Sequence, residues 1–328
     1  MGFDRIIGHE RQKRLLLAML ERKNIAHAFL FCGQDGIGKK QVAREFVNYL
    51  FCETHSACGT CRACIKLTRG SHPDLIAIEG QGSIGIDRSR MLSKEIYEYP
   101  YESDRRAIII DSAEKLTPEA ANALLKTLEE PPPFNVFFLV TSAEKEIPLT
   151  IRSRCTRIFF TPLLKEQLKQ YFVQHLYTDN KPASGEQVQE RHAELLADIS
   201  YGSIGCGLFW NEDDNLNLRR MVAELILGGG RNFVGASLIT ERIAATEGGF
   251  GMYLAFLLSL FRDLLVLKHT GDRGKLVNKD VEELLSRQGP DVRWVEDRLQ
   301  RIQETTRVMR YNINRWLAFE NLLFQVMR

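Results

Sequence analysis

Five short apolar runs, Ala28 to Cys32, Leu75 to Ile78, Ala107 to Ile110, Val136 to Val140 and Arg157 to Phe160, are separated by stretches with helical spacing. Strands that alternate with helices in this way predict a parallel sheet covered by helices. A glycine-rich loop follows the first run, and then Val42, Phe46, Val47 and Leu50 predict a helix over Gln41 to Leu50. Asp87 is placed to cap a helix beginning at Arg88. Thr117 and Pro118 open another over Ala120 to Leu128, which Pro131, Pro132 and Pro133 end.

Beyond Thr161-Pro162 the strand signal gives way to helical patterns through Leu208, interrupted around Thr178 to Gly185. From about Trp210 the chain stays helical, punctuated by Gly228-Gly229-Gly230 and Gly248-Gly249. A final helix is expected over Trp294 to Met327, with Val295, Leu299, Ile302, Val308, Trp316, Leu317, Phe319, Leu323 and Val326 apolar. Periodicity does not separate core packing from a subunit interface as the use of that stripe. The fold class is therefore α/β plus all-α, with expected domains at 1–162, 163–208 and 209–328.

At 328 residues the chain is long for one core. A formal charge of +2 is too balanced to argue for wholesale neutralisation of phosphates, so any nucleic-acid contact is a local patch or is shared with partners. The first residues, Met1 to Ile6, hold no apolar core for a secretory signal, and a cytoplasmic protein is expected. The longest apolar stretch, Met252 to Leu267, is interrupted by Arg262 and Asp263 and is shorter than the roughly 20 residues that span a bilayer. It reads as a buried helix.

Gly33-Gln34-Asp35-Gly36-Ile37-Gly38-Lys39-Lys40 is a phosphate-binding loop with its glycines and first lysine in place. In such a loop backbone N–H groups surround phosphates, and a Ser or Thr after the lysine ligates magnesium. Lys40 stands where that hydroxyl belongs. The strand Ile108-Ile109-Ile110 ends in Asp111, suited to hold a nucleotide's magnesium at the carboxyl edge of a sheet, although a strand-ending Asp also caps turns. Ser112 follows where an acid would orient the attacking water, and Glu114 lies three residues from Asp111.

Cys52, Cys58, Cys61 and Cys64 form C-x5-C-x2-C-x2-C, four soft ligands that suit tetrahedral zinc. Reactive thiols or disulfides are the alternatives. Four thiolates leave no coordination position for water, so the expected ion is structural. Cys32, Cys155 and Cys206 are isolated and read as small buried residues. Arg62, Lys66 and Arg69 around the cluster suggest either phosphate contacts or a solvated charged face.

Asp111-Ser112-Ala113-Glu114-Lys115-Leu116, then Ala121 to Pro132 and Ser153-Arg154-Cys155, resemble the AAA+ clamp-loader subunits. The cysteine cluster narrows the resemblance to bacterial members. His27-Ala28-Phe29-Leu30 and Asn312-x-Asn314 before a Leu-rich helix are similar to the delta-prime branch of the family. The resemblance implies a P-loop domain carrying the zinc module at 52–64, a helical lid over 163–208, and a C-terminal collar over 209–328. It also implies partners: gamma or tau and delta subunits, with the sliding clamp and primed DNA met through the assembled DNA polymerase III loader.

The resemblance further implies that Arg154, with Ser153 and Cys155, reaches in trans into a neighbour's ATP site, where a guanidinium stabilises the transferring phosphoryl group. A surface arginine paired with a carboxylate is the commoner fate. Thr141 or Ser142 matches the polar position at the end of its strand. Active members carry a lid arginine after Gly-Ser-x, but here Gly202-Ser203-Ile204 is followed by Gly205. Lys40, Ser112 and Gly205 thus remove three parts of one site, so a non-hydrolysing subunit is expected. Gly33, Gly36, Gly38, Lys39, Asp111 and Ser142 still offer a place for ATP without hydrolysis. The alternative is a catalytically active subunit of the gamma or tau type that tolerates Lys40 and uses Glu114.

Overall fold

The computed structural model describes residues 2–78, 96–177, 186–230, 232–287, 291–309, 311 and 313–327. The helix expected from Asp87 and Arg88 lies outside them. Two compact units form: residues 1–171 with 202–205, and residues 172–201 with 206–328.

The first unit is built on β1 (Ala28–Cys32), β2 (Leu75–Ile78), β3 (Arg106–Ile110), β4 (Asn135–Thr141) and β5 (Thr156–Phe159). They form a parallel sheet in the order β2-β3-β4-β1-β5. Every residue of β1, β3 and β4 is buried, as expected of strands covered on both faces. Alternate side chains feed two cores: Phe29, Phe31, Val136 and Phe138 on one face, Leu30, Ile108, Phe137 and Leu139 on the other.

Helices close both faces. Of α1 (Glu10–Glu21), α2 (Lys39–Phe51), α3 (Arg62–Thr68) and α4 (Pro118–Glu129), the second lays Val42, Phe46 and Val47 on the phenylalanine face. The fourth lays Ala121, Leu124 and Leu128 on the other. Each large side chain buried in this way stabilises by about 1.5–3 kcal/mol. Thr117 caps α4 by accepting from the Ala120 N–H, and Pro118 occupies its first turn, as the sequence signals.

All strands being parallel, the ends of β1, β3 and β4 share one edge, with Cys32 paired to Thr141 and Ile110 to Leu139. The glycine loop, Asp111 and Ser142 follow at that edge, where open parallel sheets bind ligands.

Among the described residues, the regular elements of the second unit are all helices. Gly249–Thr270 is 22 residues long, which reaches the length and apolarity of a membrane span and exceeds the expectation from the shorter apolar run. Ten of its residues are buried, Asp263 among them, and it packs on Val292–Val308. Arg219, fully buried, pairs with Asp280 at 2.9 Å and lies over the Phe256 ring at 3.9 Å. The expected single helix from Trp294 to Met327 is instead two, Val292–Val308 and Arg315–Val326. Asn314 is the reason for the second start: its side chain accepts from the Leu317 N–H as an N-cap.

Candidate functional site

The phosphate loop is held by its own chain. Gly36 and Gly38 adopt φ of 73° and 97°, and Gly38 starts α2 without a side-chain cap, leaving the helix N-terminus in the form that accepts anions. Lys39 is 4% exposed, and its Nζ donates to the carbonyls of Gly33 and Gln34, both at 2.6 Å. Burial lowers the Lys39 pKa from the usual lysine value, against the opposing charges of Asp35, Glu114 and Asp111.

Lys40 turns toward β3. Its Nζ lies 3.4 Å from Asp111 Oδ2, while Asp111 Oδ1 accepts from the Ser112 N–H at 3.0 Å. An ammonium therefore faces the carboxylate that a hydrated magnesium would face beside a loop hydroxyl. Ser142 donates to Glu114 Oε1 at 2.9 Å, and the other Glu114 oxygen is buried without a hydrogen-bond partner among the described residues. Thr141 is used in the turn itself, accepting from the Ala143 N–H at 3.0 Å.

The segment Gly202–Gly205 completes the enclosure within the first unit. Ser203 donates to the Asp35 carbonyl at 2.8 Å, and the Gly205 N–H donates to the Gly36 carbonyl at 3.0 Å. A Cβ on Gly205 would stand 3.0 Å from the Gly36 Cα, tighter than most Cβ contacts, so the backbone of the loop would have to give. Gly205 thus does more than lack a cation, since it permits a backbone-to-backbone bond on the loop. His9 adds a further tie, its Nε2–H donating to the Ile37 carbonyl at 2.7 Å.

Arg154 follows the short helix α5 (Leu149–Arg152) and Ser153. Its Nη1 donates to the Thr150 carbonyl at 2.9 Å and its Nη2 to Glu129 Oε1 at 2.6 Å. The arginine side chain is 34% exposed and the glutamate 50%. Nearby Arg157 pairs with Glu144 at 3.1 Å, which separates its role from that of Arg154. Burial pushes the thiol of the intervening Cys155 up to about 12, with Cys32 adding to the rise. Burial likewise raises Cys32 and Cys206 to about 11, so these three thiols are inert.

Between α2 and α3, the Sγ atoms of Cys52, Cys58, Cys61 and Cys64 lie within 4.8 Å of one another, and Cys52 and Cys61 are 4.0 Å apart. Zinc–sulfur bonds of about 2.3 Å in a tetrahedron put sulfurs roughly 3.8 Å apart, so the four fit the ion. Backbone N–H groups aim at the sulfurs: Cys58 at Cys52, Cys61 at Cys58, Cys64 at Cys61, at 3.4, 3.3 and 3.5 Å. Burial pushes the Cys52 thiol up, but bonds from Thr54, Cys58 and Ser56 outweigh it and hold it down at about 5. The Thr60 hydroxyl and the N–H groups of Thr60 and Cys61 hold Cys58 at about 7, while burial raises Cys64. Of the surrounding cations, Lys66 is engaged by Glu102 at 2.7 Å.

The structure thus gathers Gly33, Gly36, Gly38, Lys39, Lys40, Asp111 and Ser142 at one sheet edge. Arg154 has Thr150, Ser153 and Glu129 as polar partners, none from the loop. Sequence reasoning missed Glu129 as the partner of Arg154 and Ser203 as a loop tie. Neither follows a recognisable spacing.

A family model described as DNA polymerase III, delta subunit, matches residues 8–164. The chain is 35% identical over 207 residues to DNA polymerase III subunit tau of Bacillus subtilis (strain 168), covering 62% of this chain and 36% of that protein. To DNA polymerase III subunit delta' of Escherichia coli (strain K12) it is 32% identical over 207 residues, covering 61% and 59%. It spans about a third of the length of the first three gamma and tau relatives it matches. The solved Thermotoga maritima RuvB Holliday junction branch migration motor shares the fold, with 16% identity, a TM-score of 0.50, and coverage of 88% of this chain and 98% of that one. With a parallel sheet that carries the glycine loop at its edge and with these relatives, the chain is homologous, over 61–62% of its length, to the delta' and tau subunits of DNA polymerase III.

Proposed function

We propose that this chain is the delta-prime-type member of its loader, a cytoplasmic subunit that hydrolyses no ATP itself and supplies Arg154 to the ATP site of a neighbouring gamma or tau subunit. One observation carries the reading: the Lys40 ammonium, 3.4 Å from Asp111, occupies the role of the metal in the chain's own site. Magnesium neutralises charge on the transferring phosphoryl group and bridges its oxygens, and an ammonium supplies neither the divalent charge nor open coordination positions. Ser112 provides no carboxylate, and Gly205 no lid cation.

In this reading 163–208 serve as the lid and 209–328 as the collar that joins gamma or tau and delta. The sliding clamp and primed DNA are met by the whole assembly. Arg154 lies in the Ser153-Arg154-Cys155 motif with its side chain a third exposed, and a guanidinium has more donors than its bonds among the described residues use, which supports its reaching a neighbour. The second reading, an active subunit of the gamma or tau type, draws on the buried, unpartnered oxygen of Glu114 beside Ser142. It requires Lys40 to withdraw from Asp111.

The test is a reconstituted loader whose gamma or tau copies have lost their own finger arginines, so that Arg154 is the one left. Arg154→Ala is expected to lower clamp- and DNA-stimulated ATP turnover by about 10³-fold, the lower range of such fingers. Unchanged turnover overturns the proposal.

A further inference from the structure

We propose that Glu129 is a positioning residue for Arg154, a carboxylate that fixes the guanidinium in the orientation it presents to the neighbouring phosphoryl group. This rests on the reading that Arg154 acts in trans. The arginine is clasped from two sides: Glu129, the last residue of α4, takes Nη2 at 2.6 Å, and the Thr150 carbonyl in α5 takes Nη1 at 2.9 Å. Its backbone is fixed as well, the Arg154 N–H donating to the Ile151 carbonyl at 3.1 Å.

A guanidinium carries five N–H donors in a rigid fork. The two short bonds use one hydrogen on each terminal nitrogen, and among the described residues none takes the second hydrogen of Nη2, which is left for an incoming anion. A weaker contact to Ser153 Oγ, at 3.4 Å, is the remaining polar partner of Nη1.

Glu129 is itself well anchored. It closes a capped helix whose Leu124 and Leu128 are buried in the core, and Glu130 after it leaves the helix at φ −125° and ψ 67°. The run Pro131-Pro132-Pro133 then stiffens the exit. A long, flexible arginine is thereby tied to a rigid element rather than to another mobile side chain.

Fold stability does not account for the pair, because ion pairs with both partners this exposed contribute little. Orientation does. Electrostatic catalysis depends on donors already aimed at the charge that develops, and misplacement by about 1 Å can cost 10²-fold. The same α4 begins at Pro118, just after the Asp111 to Glu114 segment, and its last residue meets the finger.

The experiment uses the loader in which Arg154 is the only finger, and reads kcat and KM for stimulated ATP hydrolysis. Glu129→Ala is expected to lower kcat on the order of 10-fold or more with KM and melting temperature unchanged. Glu129→Gln, which keeps an acceptor oxygen for Nη2, is expected to retain most of the activity. In the Arg154→Ala background Glu129→Ala is expected to add nothing, since the two act through one group. A kcat for Glu129→Ala within about twofold of wild type, or above it, overturns the positioning role. So does an equal loss in the Arg154→Ala background. If Arg154→Ala itself has no effect, the trans reading fails and the positioning role with it.

Discussion

The phosphate loop and the Arg154 segment belong to the same domain, yet their polar groups are used in opposite ways. Around the loop, Lys39 is consumed by two carbonyls, Lys40 by Asp111, and the carbonyls of Asp35 and Gly36 by Ser203 and Gly205. At Arg154 one edge of the guanidinium is tied while the side chain stays a third exposed. A site worn down by unselected substitution would leave polar groups unpaired, at a cost of about 1–3 kcal/mol for each buried one. Here the polar groups of the loop are mostly satisfied within the chain, as the proposed non-hydrolysing role requires, while the Arg154 side chain stays partly open to solvent.

The largest expected effect sharpens that comparison from outside it. The loop begins α2 and the four-cysteine module ends it, with the Cys52 N–H bonded to the Asn48 carbonyl. Removing the ion by chelation, or replacing Cys58 with Ser, should cost the module on the order of 10 kcal/mol of ordering free energy. Hydrogen exchange should rise over residues 52–68 while the Gly205 amide, held by Gly36, stays protected. Loss of protection at both places would mean that the loop depends on the metal rather than on its own side chains.

A smaller effect follows from pH. Burial lowers the pKa of His9, with Lys13 and Lys39 adding to it and the Ile37 carbonyl and Glu10 opposing. Burial also lowers His72, with Lys66 adding and Asp74 and Glu102 opposing. An unfolded chain, whose histidines titrate near 6.5, binds more protons at acid pH than the folded one. Both groups therefore contribute stability that is present above about pH 6.5 and is lost as pH falls through their lower folded values. The urea midpoint should drop between pH 7.5 and 5.5, and His9→Gln should reduce the drop. A flat profile would show that neither histidine is held below its unfolded value.

Much of this was legible in the sequence because it is local or periodic. The five strands lie where the apolar runs stand, differing by one residue at some ends, and Thr117-Pro118 opens its helix as read. Four cysteines within a short segment can meet only each other, so their cluster was readable from spacing. What was not legible depends on partners distant in sequence. Glu129 meets Arg154 across 25 positions, and Ser203 meets Asp35 across 168, with no period to mark them. The break in the last helix was missed for a different reason. Its apolar stripe continues through Asn314, and only the capping bond to Leu317 shows that the chain starts again there.

In the proposed role, Lys40 and the 202–205 segment stand in for a metal nucleotide at the chain's own loop. Calorimetric titration of the purified chain with ATP, with and without magnesium, tests it most directly. The expected result is that magnesium does not tighten binding and that no phosphate is released. Magnesium-dependent ATP binding by the wild-type chain, accompanied by hydrolysis that Lys39→Ala abolishes, would contradict it.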